Sequence, residues 1–279
     1  MPVLSTSRSS SNFELCALRS FHIYWAGVGR LAFELCRLGY CVQGNDFSLH
    51  MLLASDFILN GGTATPEHPL KISPWLLESR NVHGSSDPVR AIQIPDIDPF
   101  SVLSGTAENG SFATEFSMAA GEFKSIYGHS REEGQWDAVV CCFFLDACPN
   151  MVDHIQMIHR MLKPGGLLIH FGPLLYHWSG PAMRPDDKAV EDYRSRYSYL
   201  DKRYMDSCDL CYEDIREIFI NVGFEFVEEK TGIKSLYTAD RRSMMNMVYH
   251  CVSLVVRKST EWSAENGNDS GEKEEAPTG

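Results

Sequence analysis

Between residues 21 and 258 short apolar runs alternate with amphipathic stretches. "SFHIYW" (20–25) is an apolar run that stops at glycines. "GRLAFELCRLG" (29–39) then sets Leu31, Phe33, Leu35 and Leu38 among helix formers and closes at Gly39. A strand, a turn and a helix are predicted. The same reading makes "YCVQGND" (40–46) a second strand, "FSLHMLLASDFILN" (47–60) a second helix, and "VRAIQIP" (89–95) a third strand ended by its proline. "QWDAVVCCFFLD" (135–146) has the continuous apolar core of a parallel strand covered on both faces.

"NMVDHIQMIHRMLKPGG" (150–166) places apolar residues at 151, 152, 155, 158, 161 and 162, a helical pattern stopped by Pro164-Gly165-Gly166. "LLIHFGP" (167–173) is the next strand, and "CYEDIREIFINVGF" (211–224) is a helix with Ile215, Ile218, Phe219 and Val222 on one face. "FEFVEEKTGI" (224–233) and "YHCVSLVVRKS" (249–259) end the pattern with no helix between them, as antiparallel neighbours. Alternation of this kind predicts an α/β fold, a doubly wound and mostly parallel sheet. The closing helix and two adjacent strands favour the seven-stranded, Rossmann-like variant of class I methyltransferases over a dehydrogenase fold. Residues 61–88 and 173–211 break the alternation, being polar and too long for simple connections. They are expected as lid loops inserted above the carboxyl ends of the strands. A Ser-rich leader (1–20) and an acidic tail (259–279) are expected to be disordered around a single domain, 21–258.

Composition narrows the partners. The chain has 279 residues, 44% of them hydrophobic, and a net charge of −12. Such acidity opposes binding to phosphate backbones or anionic lipid and favours a small molecule or a protein. No apolar run reaches the roughly 18 residues a membrane span requires, and the leader has no secretory core. A cytoplasmic location is expected, with the nucleus as a second compartment. Nine cysteines, several within apolar strands, read as reduced core thiols. Cys208 and Cys211 form one CxxC with no second half, so no metal is expected.

Candidate chemistry lies at predicted strand ends. "AGVGRL" (26–31) supplies Gly27 and Gly29 to the first strand–helix turn, where backbone N–H groups and a positive helix end approach a ligand. Asp46 ends the second strand, where nucleoside-binding folds place a carboxylate for the ribose hydroxyls; capping the next helix is its alternative. Glu122-Phe123 offers a carboxylate and a ring suited to adenine, or a helix start. Cys142 and Asp146 close the fourth apolar strand, with Asp146 either at the ligand crevice or a helix cap. Tyr176, His177 and Trp178 follow the fifth strand.

From residue 26 to about 258 the chain resembles the carnosine N-methyltransferase family. The matching blocks are "AGVGRLAFELCRLGYCVQGNDFSLHMLLASDFILN", "PDIDPFS", "FSMAAGEF", "WDAVVCCFFLDACPN", "LKPGGLLIHFGPLLYHW" and "SMMNMVYHCVSLVVRK". The resemblance implies S-adenosyl-L-methionine as cofactor and a histidine-containing dipeptide, β-alanyl-histidine, as methyl acceptor, with a homodimer left open. It implies cofactor contacts for Gly27, Gly29, Asp46, Glu122, Phe123 and Cys142, and dipeptide contacts for Asp146, His177 and Tyr249. Asp146 takes the catalytic role. Asp46 stands where the family has glutamate and Glu122 where it has aspartate, so each acid keeps its charge and changes its reach. Two departures imply an alternative, an impaired or truncated member acting as a binding module. Trp25 replaces the first glycine of the family's turn, and residues 1–20 do not resemble the family's helical region upstream of the first strand.

Overall fold

A computed structural model of the chain describes residues 20–24, 26–60, 67–108, 114–181, 190–237 and 240–260. The elements run β1 (Ser20–Tyr24), α1 (Arg30–Arg37), β2 (Cys41–Asp46), α2 (Leu49–Leu59), β3 (Leu70–Ile72), β4 (Ile92–Ile94), α3 (Pro99–Glu108), β5 (Phe116–Ala120) and α4 (Phe123–Tyr127). They continue with β6 (Trp136–Cys142), α5 (Met151–Met161), β7 (Leu162–Gly172), α6 (Val190–Arg196), α7 (Lys202–Met205), α8 (Tyr212–Val222), β8 (Phe224–Leu236) and β9 (Val248–Lys258).

Seven strands form one sheet in the order β5-β2-β1-β6-β7-β9-β8. β9 alone is reversed, antiparallel to both β7 and β8. The strongest sequence signal holds the centre. Along β6, Ala138 and Val140 join one core cluster with Phe21, Ile23, Ala32 and Cys36. Val139 and Cys141 join the other, with Ile155 and Ile158 of α5 and Phe219 of α8. The two-residue period of a strand thus sends neighbouring side chains to opposite covered faces.

Three expectations need correction. Residues 92–94 do not enter the main sheet; β4 pairs only with β3, antiparallel, with Leu70 opposite Ile94. Its residues are only partly shielded, so its apolar side chains belong to a surface ribbon. The third parallel strand of the sheet is β5, whose small residues Ala119 and Ala120 gave a weaker strand signal. A helix, α3, was also not anticipated; Asp98 accepts from the Phe100 and Ser101 amides at 3.1 and 3.3 Å, and Pro99 takes the first helical position. Finally, Cys41 is disulfide-bonded, whereas Cys36, Cys141, Cys142, Cys148, Cys208, Cys211 and Cys251 are free.

The leader through residue 19 and the tail from 261 lie outside the described residues, as does Trp25. Segment 67–95 is fastened to the loop before β9. The Arg90 guanidinium lies 3.6 Å from the Trp75 ring centroid and pairs with Asp240, and Val82 bridges to Ser243.

Candidate functional site

Topology gathers most of the candidate residues on one rim. Parallel β1, β2, β5, β6 and β7 deliver their carboxyl ends there, followed by Gly27, Asp46, Glu122, Asp146 and His177 respectively. Because β9 runs the other way, its first residues reach the same rim, and Tyr249 pairs with Ser235 near the end of β8. Tyr249 is therefore close to residues more than two hundred positions upstream only because one strand is reversed.

Two cavities open on this rim. The larger, about 440 Å³, is lined by Gly27, Asp46, Cys142, Asp146, His177 and Tyr249, together with Phe47, Ser48, Met51, Phe143, Pro173, Leu175 and Tyr237. The smaller, about 170 Å³, is lined by Glu122, Phe123, His154, Trp178 and Arg203 among others. Asp46 and Phe47 border both. The larger volume lies within the range of small-ligand clefts, roughly 300–1,000 Å³.

Asp46 is almost fully buried, and both of its oxygens are engaged. Oδ2 accepts from the Gly27 amide at 2.9 Å and Oδ1 from the Ser48 amide at 2.8 Å. Burial pushes its pKa up, and these backbone donors offset part of that. A carboxylate offers about four acceptor sites, so about two stay available for ribose hydroxyls. The helix-cap alternative fails, since Ser48 is the N-cap of α2.

Gly27 and Gly29 both have positive φ, 56° and 86°. A Cβ on Gly27 would meet nothing within 4 Å, and the residue lines the larger cavity. At Gly29 it would lie 2.9 Å from Leu59 Cδ1, so this glycine lets α1 approach α2 and does not border either cavity. The structure brings only the first of the two glycines to the site.

Glu122 is the N-cap of α4, as its helix-start alternative held. Its oxygens accept from the Lys124 amide (3.1 Å), the Ser125 amide (2.8 Å) and Ser125 Oγ (2.6 Å). Burial opposes ionisation, but the Ser125 and Lys124 hydrogen bonds prevail and hold its pKa down. Phe123 is 2% exposed. Its ring packs 5.0 Å from Tyr127 and lies at 18° to His154 at 5.9 Å. Phe123 also borders the smaller cavity.

Asp146 differs from the other acids. It sits on the 3-10 turn Leu145–Ala147 beyond β6, 2% exposed, and Asn150, not Asp146, caps α5. Its Oδ2 accepts from the Leu175 amide at 2.9 Å, while Oδ1, also buried, has no hydrogen-bond partner. Burial raises its pKa, moderated by the Leu175 amide and by His177. The His177 amide donates to the Asp146 carbonyl at 3.1 Å, which joins the two residues through the backbone. Tyr249 is half-buried and its hydroxyl lies 2.9 Å from Met247 Sδ. Burial also raises the Cys142 thiol pKa. Tyr176 borders neither cavity; its hydroxyl donates to the Leu210 carbonyl at 2.5 Å.

The apolar wall of the larger cavity escaped the sequence reading. Phe143 holds φ 53° and faces Tyr237 and Tyr249 at ring-centroid distances of 6.3 and 6.1 Å. Phe143 was hidden inside the apolar run of β6, and no periodic signal marked Tyr237. Among the described residues, no group of three or more His, Cys, Asp or Glu side chains could hold a metal ion.

A seven-stranded sheet with one reversed strand and a cleft over its parallel carboxyl ends defines the class I methyltransferase fold. The carnosine N-methyltransferase family model matches residues 23–260, and the chain belongs to that family. It is 39% identical over 233 residues to the carnosine N-methyltransferase of Rattus norvegicus, covering 84% of this chain and 50% of the relative. The corresponding enzyme of Dictyostelium discoideum is 33% identical, with 83% and 42% covered. That of Schizosaccharomyces pombe is 32% identical, with 81% and 54% covered. The chain spans about half the length of the curated relatives it matches.

Proposed function

We propose that the rim binds S-adenosylmethionine and transfers its methyl group to an imidazole nitrogen of carnosine or a related histidine-containing dipeptide, giving anserine in the first case. The observation that carries this reading is Asp146, which lines the larger cavity and whose Oδ1 is buried without a hydrogen-bond partner. A buried carboxylate oxygen without a donor is costly, and a neutral imidazole has one N–H to give and one lone pair with which to attack.

The residues present fit the cofactor. Gly27 leaves its surface open where a side chain would stand, and Asp46 retains acceptor sites for two hydroxyls. Glu122 keeps about one acceptor site for an exocyclic amine. When bound, the sulfonium supplies an already activated methyl group. The chain's own contribution is placement and charge. Asp46 fixes the Gly27 turn against the end of β2. Asp146 accepts the far N–H of the substrate imidazole, which selects the tautomer whose other nitrogen is the nucleophile. As that ring becomes imidazolium, the Asp146 carboxylate stabilises the new charge in a site shielded from water. His177 and Tyr249, on the same cavity wall, orient the remainder of the dipeptide.

Isothermal titration with S-adenosylmethionine, followed by mass spectrometry of carnosine incubated with both, tests the proposal. Micromolar donor binding and a single added methyl group on the imidazole are expected. Donor binding without any methylated dipeptide would overturn the acceptor assignment. A chain that binds neither molecule would favour the impaired or truncated member instead.

A further inference from the structure

The smaller cavity contains a feature that the family comparison does not assign. Phe123, the ring expected to stack on the donor's purine, is buried against Tyr127 and His154. Beside the rings of Phe47, Phe123, Phe144 and His154, two flat groups bordering this cavity come from the connection between β7 and α8: Trp178, and Arg203 of α7. The Arg203 guanidinium lies 4.0 Å from the centroid of the Trp178 ring.

Both groups are held in place. Trp178 Nε1 donates to the Ala147 carbonyl at 3.0 Å, tying the indole to the turn that carries Asp146. Asp201 receives Arg203 through Nε at 3.0 Å and Nη2 at 2.6 Å, a fork that fixes the guanidinium plane. Asp201, and more weakly Tyr204 and Glu122, favour the protonated guanidinium. Asp46 and Glu122 border the same cavity. The border of this cavity therefore combines a planar, cationic pair with carboxylates able to accept from hydroxyl and amino groups. A purine nucleoside has that combination of chemistry, a π-face with polar edges.

We infer that the Trp178–Arg203 pair, and not the Phe123 ring, supplies the stacking surface for the purine of the methyl donor and sets donor affinity. This rests on the reading of the rim as an S-adenosylmethionine site.

The test uses the full chain with S-adenosylhomocysteine in a calorimeter, alongside steady-state kinetics with S-adenosylmethionine and carnosine. Arg203→Ala and Trp178→Ala should each raise the S-adenosylhomocysteine Kd by about 5–100-fold, as loss of a base-stacking partner does. KM for the donor should rise in parallel, while kcat at saturating donor and KM for carnosine stay within about 2-fold. Trp178→Phe keeps a flat ring but loses the bond to Ala147. It should restore most of the affinity lost in Trp178→Ala, which a purely structural role for that bond would not allow. Donor binding unchanged in both alanine variants would overturn this inference and leave the proposed function intact. Absence of S-adenosylhomocysteine binding in the unaltered chain would overturn both.

Discussion

The two sides of the rim treat their carboxylates differently. On the side assigned to the donor, Asp46 and Glu122 have every oxygen engaged by neighbouring amides or a hydroxyl. On the acceptor side, Asp146 has one oxygen tied to Leu175 and the other buried without a partner. The first pair builds the walls of a cleft before any ligand arrives. Asp146 keeps a buried acceptor open, an arrangement that costs stability and gains a specific contact only when an N–H donor enters. Asp46 and Asp146 are thus similarly buried and oppositely bonded, while Glu122 is exposed and fully engaged.

The largest effect that would break this comparison is on turnover. Asp146→Ala should lower kcat by about 10²–10⁴-fold, as removal of a positioned acid–base or charge-stabilising group does. The donor Kd, measured by calorimetry, should move less than about 3-fold, since such small shifts stay under 1 kcal/mol. Equal losses in both quantities would show that Asp146 belongs to the cleft wall like Asp46. The opposite result is expected for Asp46→Ala. It strands the partly buried Gly27 and Ser48 amides, each costing up to about 1–3 kcal/mol when left unpaired. Thermal unfolding should therefore occur at lower temperature, and the donor Kd should rise by about 10-fold or more, the change that accompanies each 1.4 kcal/mol lost.

How much of this was legible depended on how each residue reaches the rim. β6 and β7 announced themselves through apolar runs that only a doubly covered strand can use, and the residues just past their ends, Asp146 and His177, followed by position. β5 was misplaced because Ala119 and Ala120 carry little apolar bulk, whereas Ile92 and Ile94 carry more and lie on a surface ribbon. Gly27 and Gly29 look alike in the sequence. Only the packing of Leu59 against the second reveals that one serves the cavity and the other the helices. Tyr237 and Arg203 left no trace, because their approach depends on a reversed strand and a long connection, which local patterning does not encode. Tyr249 was placed by resemblance, not by any periodicity.

The smallest effect separates the two sides most cleanly, because it is a gain. Burial raises the Asp146 pKa, so the contribution of this group to stability is present below the unfolded carboxylate value and is lost as pH rises through the folded one. At neutral pH the ionised side chain consequently destabilises the free protein. Asp146→Asn keeps an oxygen for the Leu175 amide and removes the buried charge. Its melting temperature at pH 7 should exceed that of the unaltered chain by about 2–4 °C for each kcal/mol recovered, and the difference should shrink as pH falls through the folded pKa. If the proposed function holds, the acid limb of kcat/KM in the unaltered chain should lie above the ordinary carboxylate range for the same reason, because that proposal has the ionised form accept the imidazole N–H. Calorimetric melts of both proteins across pH, set beside that activity profile, check the sign. A melting temperature lowered by Asp146→Asn at pH 7 would mean that the open oxygen is not a stored cost, and the contrast between the two sides of the rim would disappear.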